Sequence, residues 1–149
     1  MLSNIFCPMK KLFAAAALLL AMTACGGSHD TPLEGTTWKL ASMEAIPASA
    51  VDAEPDFFTL WFDAADTLVS GRTNCNRFFG KYALDGHRLE MKNLGMTRMA
   101  CPDLQYEEAF VRMLDEVNRY GIRKGELTFY DGDRALATFR SVDPAAMQQ

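Results

Sequence analysis

The chain is poor in the residues and patterns that catalysis and metal binding use. Of its 149 residues, two are histidine and four are cysteine. His29 sits in a small polar stretch and His87 beside Gly86 in a hairpin signal, so neither has the rigid surround that positions a proton carrier. Solvated surface histidines are the plainer reading. There is no Gly-x-Ser-x-Gly nucleophile elbow, no glycine-rich phosphate loop and no His-Glu-x-x-His helix. Cys-x-x-Cys spacing is absent, and neither histidine stands at ligand spacing from a cysteine. The acidic stretches 63–66 and Asp131-Gly132-Asp133 lack the alternating ligands of a calcium loop and read as turns. No enzyme activity, metal or cofactor is therefore expected. Fixed-period repeats and low-complexity segments are missing too. The formal charge of −4, spread along the chain, argues against nucleic acid as a partner.

What is present begins near the N-terminus. Lys10 and Lys11 precede an apolar core, residues 12–21, and small residues lead to Cys25. That is the grammar of a secretion signal, and the core is shorter than the ~20 apolar residues that span a bilayer. The run Leu18-Leu19-Leu20-Ala21-Met22-Thr23-Ala24-Cys25 resembles the lipobox of bacterial lipoproteins, with Met22 where that pattern prefers Leu. The resemblance implies a diacylglycerol on the Cys25 thiol, cleavage before Cys25 and acylation of the new amine. A secreted soluble protein with a cysteine near the cut is the other reading. Met9 looks a more natural start than Met1, which puts Cys7 in an over-extended gene start. The expected organisation is a signal over residues 1–24, a flexible tether 25–32, one domain 33–142 and a tail 143–149. Loss of Lys10 and Lys11 takes the charge to −6, 13 basic residues against 19 acidic. The residues after Cys25 lack an acidic inner-membrane retention signal, which by that resemblance favours the outer membrane, facing the periplasm.

With Cys25 assigned to lipid, Cys75 and Cys101 remain. An oxidising compartment makes a disulfide the default, with two buried free thiols as the alternative. Closing a loop of about 26 residues contributes roughly 3.5 kcal/mol on the chain-entropy model.

Alternation of period two predicts strands: 36–43 with Trp38 and Leu40 inward, a second with Phe58, Leu60 and Phe62 inward, then 67–72, 79–84, 88–91, 120–123, 127–130 and 135–140. Asp85-Gly86, Lys124-Gly125 and Asp131-Gly132-Asp133 read as hairpin turns. One helix follows Pro102, with Asp103 as its cap, Glu107 and Glu108 early in it, and Phe110, Met113, Leu114 and Val117 as its packing stripe. The expected fold is α+β, a strongly curved antiparallel sheet or partial barrel packed on one main helix.

Three segments in order resemble the META domain, also called HslJ-like. Leu33-Glu34-Gly35-Thr36-Thr37-Trp38-Lys39-Leu40 is similar to the family's Leu-x-Gly-Thr-x-Trp-x-Leu. The run from Gly71 through Asn74, Cys75, Asn76 and Gly80 to Tyr82 is similar to Gly-x-x-Gly-Cys-Asn-x-x-x-Gly-x-Tyr. Thr97-Arg98-Met99-Ala100-Cys101 is similar to Thr-x-Met-Ala-Cys. Asn74 replaces a frequent Gly, and asparagine suits a left-handed backbone. Gly80 fits a bulge, Asn76 a turn and Tyr82 the core. The resemblance implies a curved sheet about a helix, no reaction, and a loose link to heat-shock and envelope stress.

Three functions fit. One is a non-catalytic, membrane-anchored envelope lipoprotein that binds an unidentified protein or stabilises the envelope under stress. Another is an inhibitor of a secreted or periplasmic peptidase, projecting residues 55–58 or the Arg77-Phe78 segment. The last is a carrier of a small apolar ligand on the concave side of the sheet. Arg98 reads as recognition chemistry or, more simply, as an ion-pair partner.

Overall fold

Residues 31–147 are described by a computed structural model of the chain. The signal, Cys7, Cys25 and His29 lie outside these residues. Eight strands run in chain order: β1 Thr37–Met43, β2 Thr59–Asp63, β3 Leu68–Arg72, β4 Arg77–Asp85, β5 Arg88–Met96, β6 Arg119–Arg123, β7 Glu126–Asp131 and β8 Arg134–Val142. Each pairs antiparallel with the next, and β1 pairs with β8, so the curved sheet comes round to a ring. Two helices interrupt it: α1, Ala48–Val51, and α2, Leu104–Glu116.

The ring follows from the side-chain period. In β4 exposed and buried residues alternate from Arg77 through Tyr82, and the inward set meets the inward sets of its neighbours. Trp38, Phe58, Phe62, Phe129 and Phe139 are fully buried there, and Phe110 enters from α2. Phe110 lies 5.3 Å from the Phe58 ring and 6.3 Å from Phe139. Each such side chain contributes roughly 1.5–3 kcal/mol by burial. The interior is therefore a packed core, and the expectation of a ligand on the concave side is corrected: aromatic rings occupy that space.

Turn chemistry sets the hairpins. Lys124 and Gly125 both have positive φ, 53° and 78°, between the paired Arg123 and Glu126, the two-residue arrangement whose twist suits a hairpin. At Gly80 the β4–β5 register shifts, and a Cβ there would stand 2.7 Å from Leu94 and 2.9 Å from the Lys92 carbonyl. Glycine permits that bulge.

Two details differ from expectation. Phe58 precedes β2 with φ 53° although its ring points inward, because its carbonyl must turn to accept Leu40 N–H at 2.9 Å. Asp103 holds the cap position of α2 in a left-handed conformation, φ 62°, and its carboxylate makes no capping bond.

The ring closes through a short seam. β5 meets β6 in register only at Arg88 and Arg119, with Leu89 N–H donating to the Asn118 carbonyl and Tyr120 N–H to that of His87. Beyond Leu89 no described strand lies along the outer edge of β5. Helix α2 packs beside that stretch and sends Phe110, Met113 and Leu114 into the core.

Candidate functional site

The residues picked out by sequence meet where the chain leaves β3, enters β4 and leaves β5. Cys75 and Cys101 are joined by a disulfide, Cα atoms 6.0 Å apart. Beneath it Glu107, on the first turn of α2, is buried without a cationic partner among the described residues. Neutral donors hold it instead. Thr73 Oγ1 and Asn76 N–H, at 3.0 Å, donate to Oε2, and Asn76 Nδ2 donates to Oε1 at 3.0 Å. Thr73 Oγ1 in turn accepts the N–H groups of Cys75 and Asn76, at 3.0 and 2.8 Å. Asn76 Oδ1 accepts Thr97 Oγ1 at 2.9 Å and Met99 N–H at 2.7 Å. One asparagine therefore ties the loop after β3 to the segment after β5 and to α2. A buried polar knot of this kind is favourable because it is nearly complete. Asn74 Oδ1 alone lacks a donor among the described residues.

Asn74 itself is a correction. Its φ is not positive; the left-handed residue is Asp103, whose carbonyl Asn74 Nδ2 holds at 3.1 Å. Asparagine here bridges the loop to the helix start.

Of the other motif residues, Trp38 donates its indole N–H to the Leu33 carbonyl at 2.9 Å, and Tyr82, toward the other end of β4, fills the core with its hydroxyl donating to Glu34. Burial and that hydrogen bond push Tyr82 ionisation well above its ordinary range.

The expected interaction residues divide. Arg77 is exposed, but Phe78 is 2% exposed and stacks near Phe110 at 6.1 Å, so it cannot form a projecting edge. The outward ring is Phe79, at 60% exposure. Residues 55–58 are no free loop either. Arg72 pairs with Asp56 and lies over the Phe57 ring, and Phe58 is buried. Arg98 is exposed and makes no ion pair among the described residues, against the simpler expectation.

Two residues with large roles were not singled out by sequence. Glu107 reads as an acid favouring the helix dipole, yet it sits three residues before Phe110, on the stripe that faces inward. That placement was its signal. Lys39 is 3% exposed on the outer side of β1, and its ammonium donates to the carbonyls of Val51, Glu54 and Phe57 at 2.7, 2.7 and 2.8 Å. Burial, then the charge of Arg140, lowers its pKa.

Above the knot an open groove of about 510 Å³ runs between α2 and the chain from Leu94 to Ala100. Leu94, Met96, Leu104 and Val111 give it apolar walls, and Met99, 56% exposed, stands on its rim. Its inner wall is the edge of β5 that no described strand covers. A second strand laid there would find backbone donors and acceptors on one side and apolar contacts on the other.

The class defined here is a small antiparallel ring closed by a helix, with one disulfide bracing a buried polar knot beside an open strand edge. The META domain family matches residues 31–143, and the chain belongs to that family. It is 28% identical over 143 residues to Heat shock protein HslJ of Escherichia coli (strain K12), covering 91% of this chain and 98% of that one. A protein from Burkholderia xenovorans solved by NMR is similar at 26% identity and TM-score 0.59, over 74% of this chain and 83% of that one. A DUF4847 family protein from Bacteroides vulgatus ATCC 8482, at 16% identity and TM-score 0.54, covers 72% of this chain and 93% of its own; it shares the fold.

Proposed function

We propose that this META-domain protein is a non-catalytic lipoprotein, held by lipid on Cys25 at the outer membrane facing the periplasm, and that it binds a protein partner there. The lipobox-like run ending at Cys25 supports the anchor. The heat-shock name of the Escherichia coli relative supports a role under stress. The observation that carries binding is the uncovered β5 edge beside α2, an apolar groove with a rigid floor. An extended segment of the partner adds there as a strand, and a braced site loses little entropy on docking.

Two measurements test the halves separately. Radiolabelled palmitate incorporation is expected to be lost in Cys25→Ser; labelling that persists removes the anchor. A photo-crosslinker at Met99, on the groove rim, is expected to capture one envelope protein, whereas one at Leu84, far along β4, captures none. Capture that is equal at both positions, or unaffected by Val111→Arg in the groove wall, overturns the groove as the binding site.

A further inference from the structure

Strand register places three outward rows side by side on β2–β5. The middle row is Trp61, Ser70, Phe79 and Gly95. Trp61 is 40% and Phe79 60% exposed, two of the large apolar side chains the fold leaves outside. On one side of this row Arg72 pairs across to Arg77, and on the other Asp63 pairs to Leu68, Leu68 to Lys81 and Lys81 to Lys92. Arg72 and Lys92 have acidic partners, Asp56 and Glu90. Arg77 has no ion-pair partner among the described residues, and Lys81 Nζ donates only to the Asp66 carbonyl at 2.7 Å. A protein with a net charge of −4 thus shows an aromatic row between cations on one face.

We propose that this face lies on an anionic phospholipid surface, with Trp61 and Phe79 in the headgroup layer and Arg77 and Lys81 on lipid phosphates. Aromatic side chains favour that layer, and each nearby cation strengthens attraction to anionic lipid. Where the chain enters supports the same face. Gly35 N–H donates to the Phe62 carbonyl at 2.9 Å, so the N-terminal segment joins the domain one residue from Trp61. Residues 25–32 span at most about 28 Å fully extended. A chain anchored at Cys25 therefore keeps Trp61 within reach of the bilayer. This last step rests on the proposed anchor, whereas the affinity of the face does not.

The test uses residues 26–149, the chain after the expected cut, so that neither the signal nor a lipid holds it to the vesicle and a failed anchor leaves the result intact. Tryptophan emission is followed with vesicles of phosphatidylcholine containing phosphatidylglycerol, and with phosphatidylcholine alone. Trp38 is buried, so a change reports Trp61. The expected result is a blue shift and quenching by brominated lipid only with phosphatidylglycerol, weakened by salt. The double change Arg77→Glu with Lys81→Glu should weaken partitioning more than about tenfold. Phe79→Ser is the second variant, expected to weaken it with the charges intact. No shift on anionic vesicles overturns the proposal. So does an equal shift with soluble glycerophosphate, or binding that both variants leave unchanged.

Discussion

Lys39 and Glu107 are both buried, and neither has an oppositely charged partner among the described residues, yet they do different work. Lys39 spends its three protons on three carbonyls of one segment, residues 51–57, and so holds a single loop against the outside of β1. Glu107 receives donors from Thr73 and Asn76, and Asn76 passes the connection on to Thr97 and Met99. One charge fastens a flap, and the other joins three chain segments. The disulfide spans two of those same segments, so Glu107 and the Cys75–Cys101 bridge share a task. Lys39 shares its task with Arg72, on Asp56 and Phe57, with Arg140, 3.7 Å from Asp52, and with the Thr59 hydroxyl, which donates to the Asp56 carbonyl at 3.1 Å. Breaking the knot should therefore reach the groove floor, while breaking the flap should stay local.

The largest expected effect is at the knot. Cys75→Ala with Cys101→Ala should cost about 3.5 kcal/mol of stability in urea unfolding. Glu107→Ala should cost about 3 kcal/mol, because it leaves Asn76 Nδ2 and the Thr73 hydroxyl buried with poorer partners. Combined, they should depart from additivity by more than about 0.5 kcal/mol, the mark of groups acting in one network. Strict additivity would mean that the bridge and the carboxylate brace separate things, and the contrast with Lys39 would lose its basis.

Lys39→Met should cost less, about 2 kcal/mol, by leaving three carbonyls without their donor while keeping the buried stem. Amide exchange should quicken across residues 47–58 and remain slow in α2. Its effect should add to disulfide removal within about 0.5 kcal/mol. Exchange that quickens equally near Asn76 would show that the flap and the knot are one unit.

The two charges also show how far a sequence speaks for itself. Trp38 and Leu40 alternate on β1, so the strand was legible, and with it Lys39 on the opposite side. The cover over Lys39 was not, because residues 47–58 have no long periodic pattern and α1 is a single turn. The helix stripe through Phe110, Met113 and Leu114 was legible from its spacing. Glu107 on the same stripe was not read as buried, since its satisfaction depends on Thr73 and Asn76, more than 30 residues earlier. Phe78 and Phe79 differ by a single position, and in a strand one position exchanges inside for outside. Motif spacing named the pair of segments around Cys75 and Cys101, but not which of their neighbours would face water. The ring closure was least visible: it rests on one residue pair, Arg88 with Arg119, between strands separated by a helix.

The smallest effect, and the one that separates Lys39 from the rest of the core, is the alkaline dependence of stability. Burial and the Glu34 hydrogen bond raise the Tyr82 pKa above its ordinary value of 10.0. The unfolded chain then gives up the Tyr82 proton before the folded one does. The stability from the neutral phenol is complete below that value and declines as pH rises past it. Lys39 has the opposite sign. Its folded pKa lies below the ordinary 10.5, so the unfolded chain holds this proton longer, and stability climbs with pH until the unfolded lysine has titrated. In wild type the two slopes oppose each other just above pH 10. Tyr82→Phe should therefore flatten the alkaline loss, and Lys39→Met should steepen it, with Tyr120, also raised, unchanged in both. Urea midpoints from pH 8 upward measure this directly. A slope in Lys39→Met equal to that of wild type would mean that the Lys39 proton is bound as tightly in the folded protein as in the unfolded chain, with three carbonyls offsetting the whole cost of its burial.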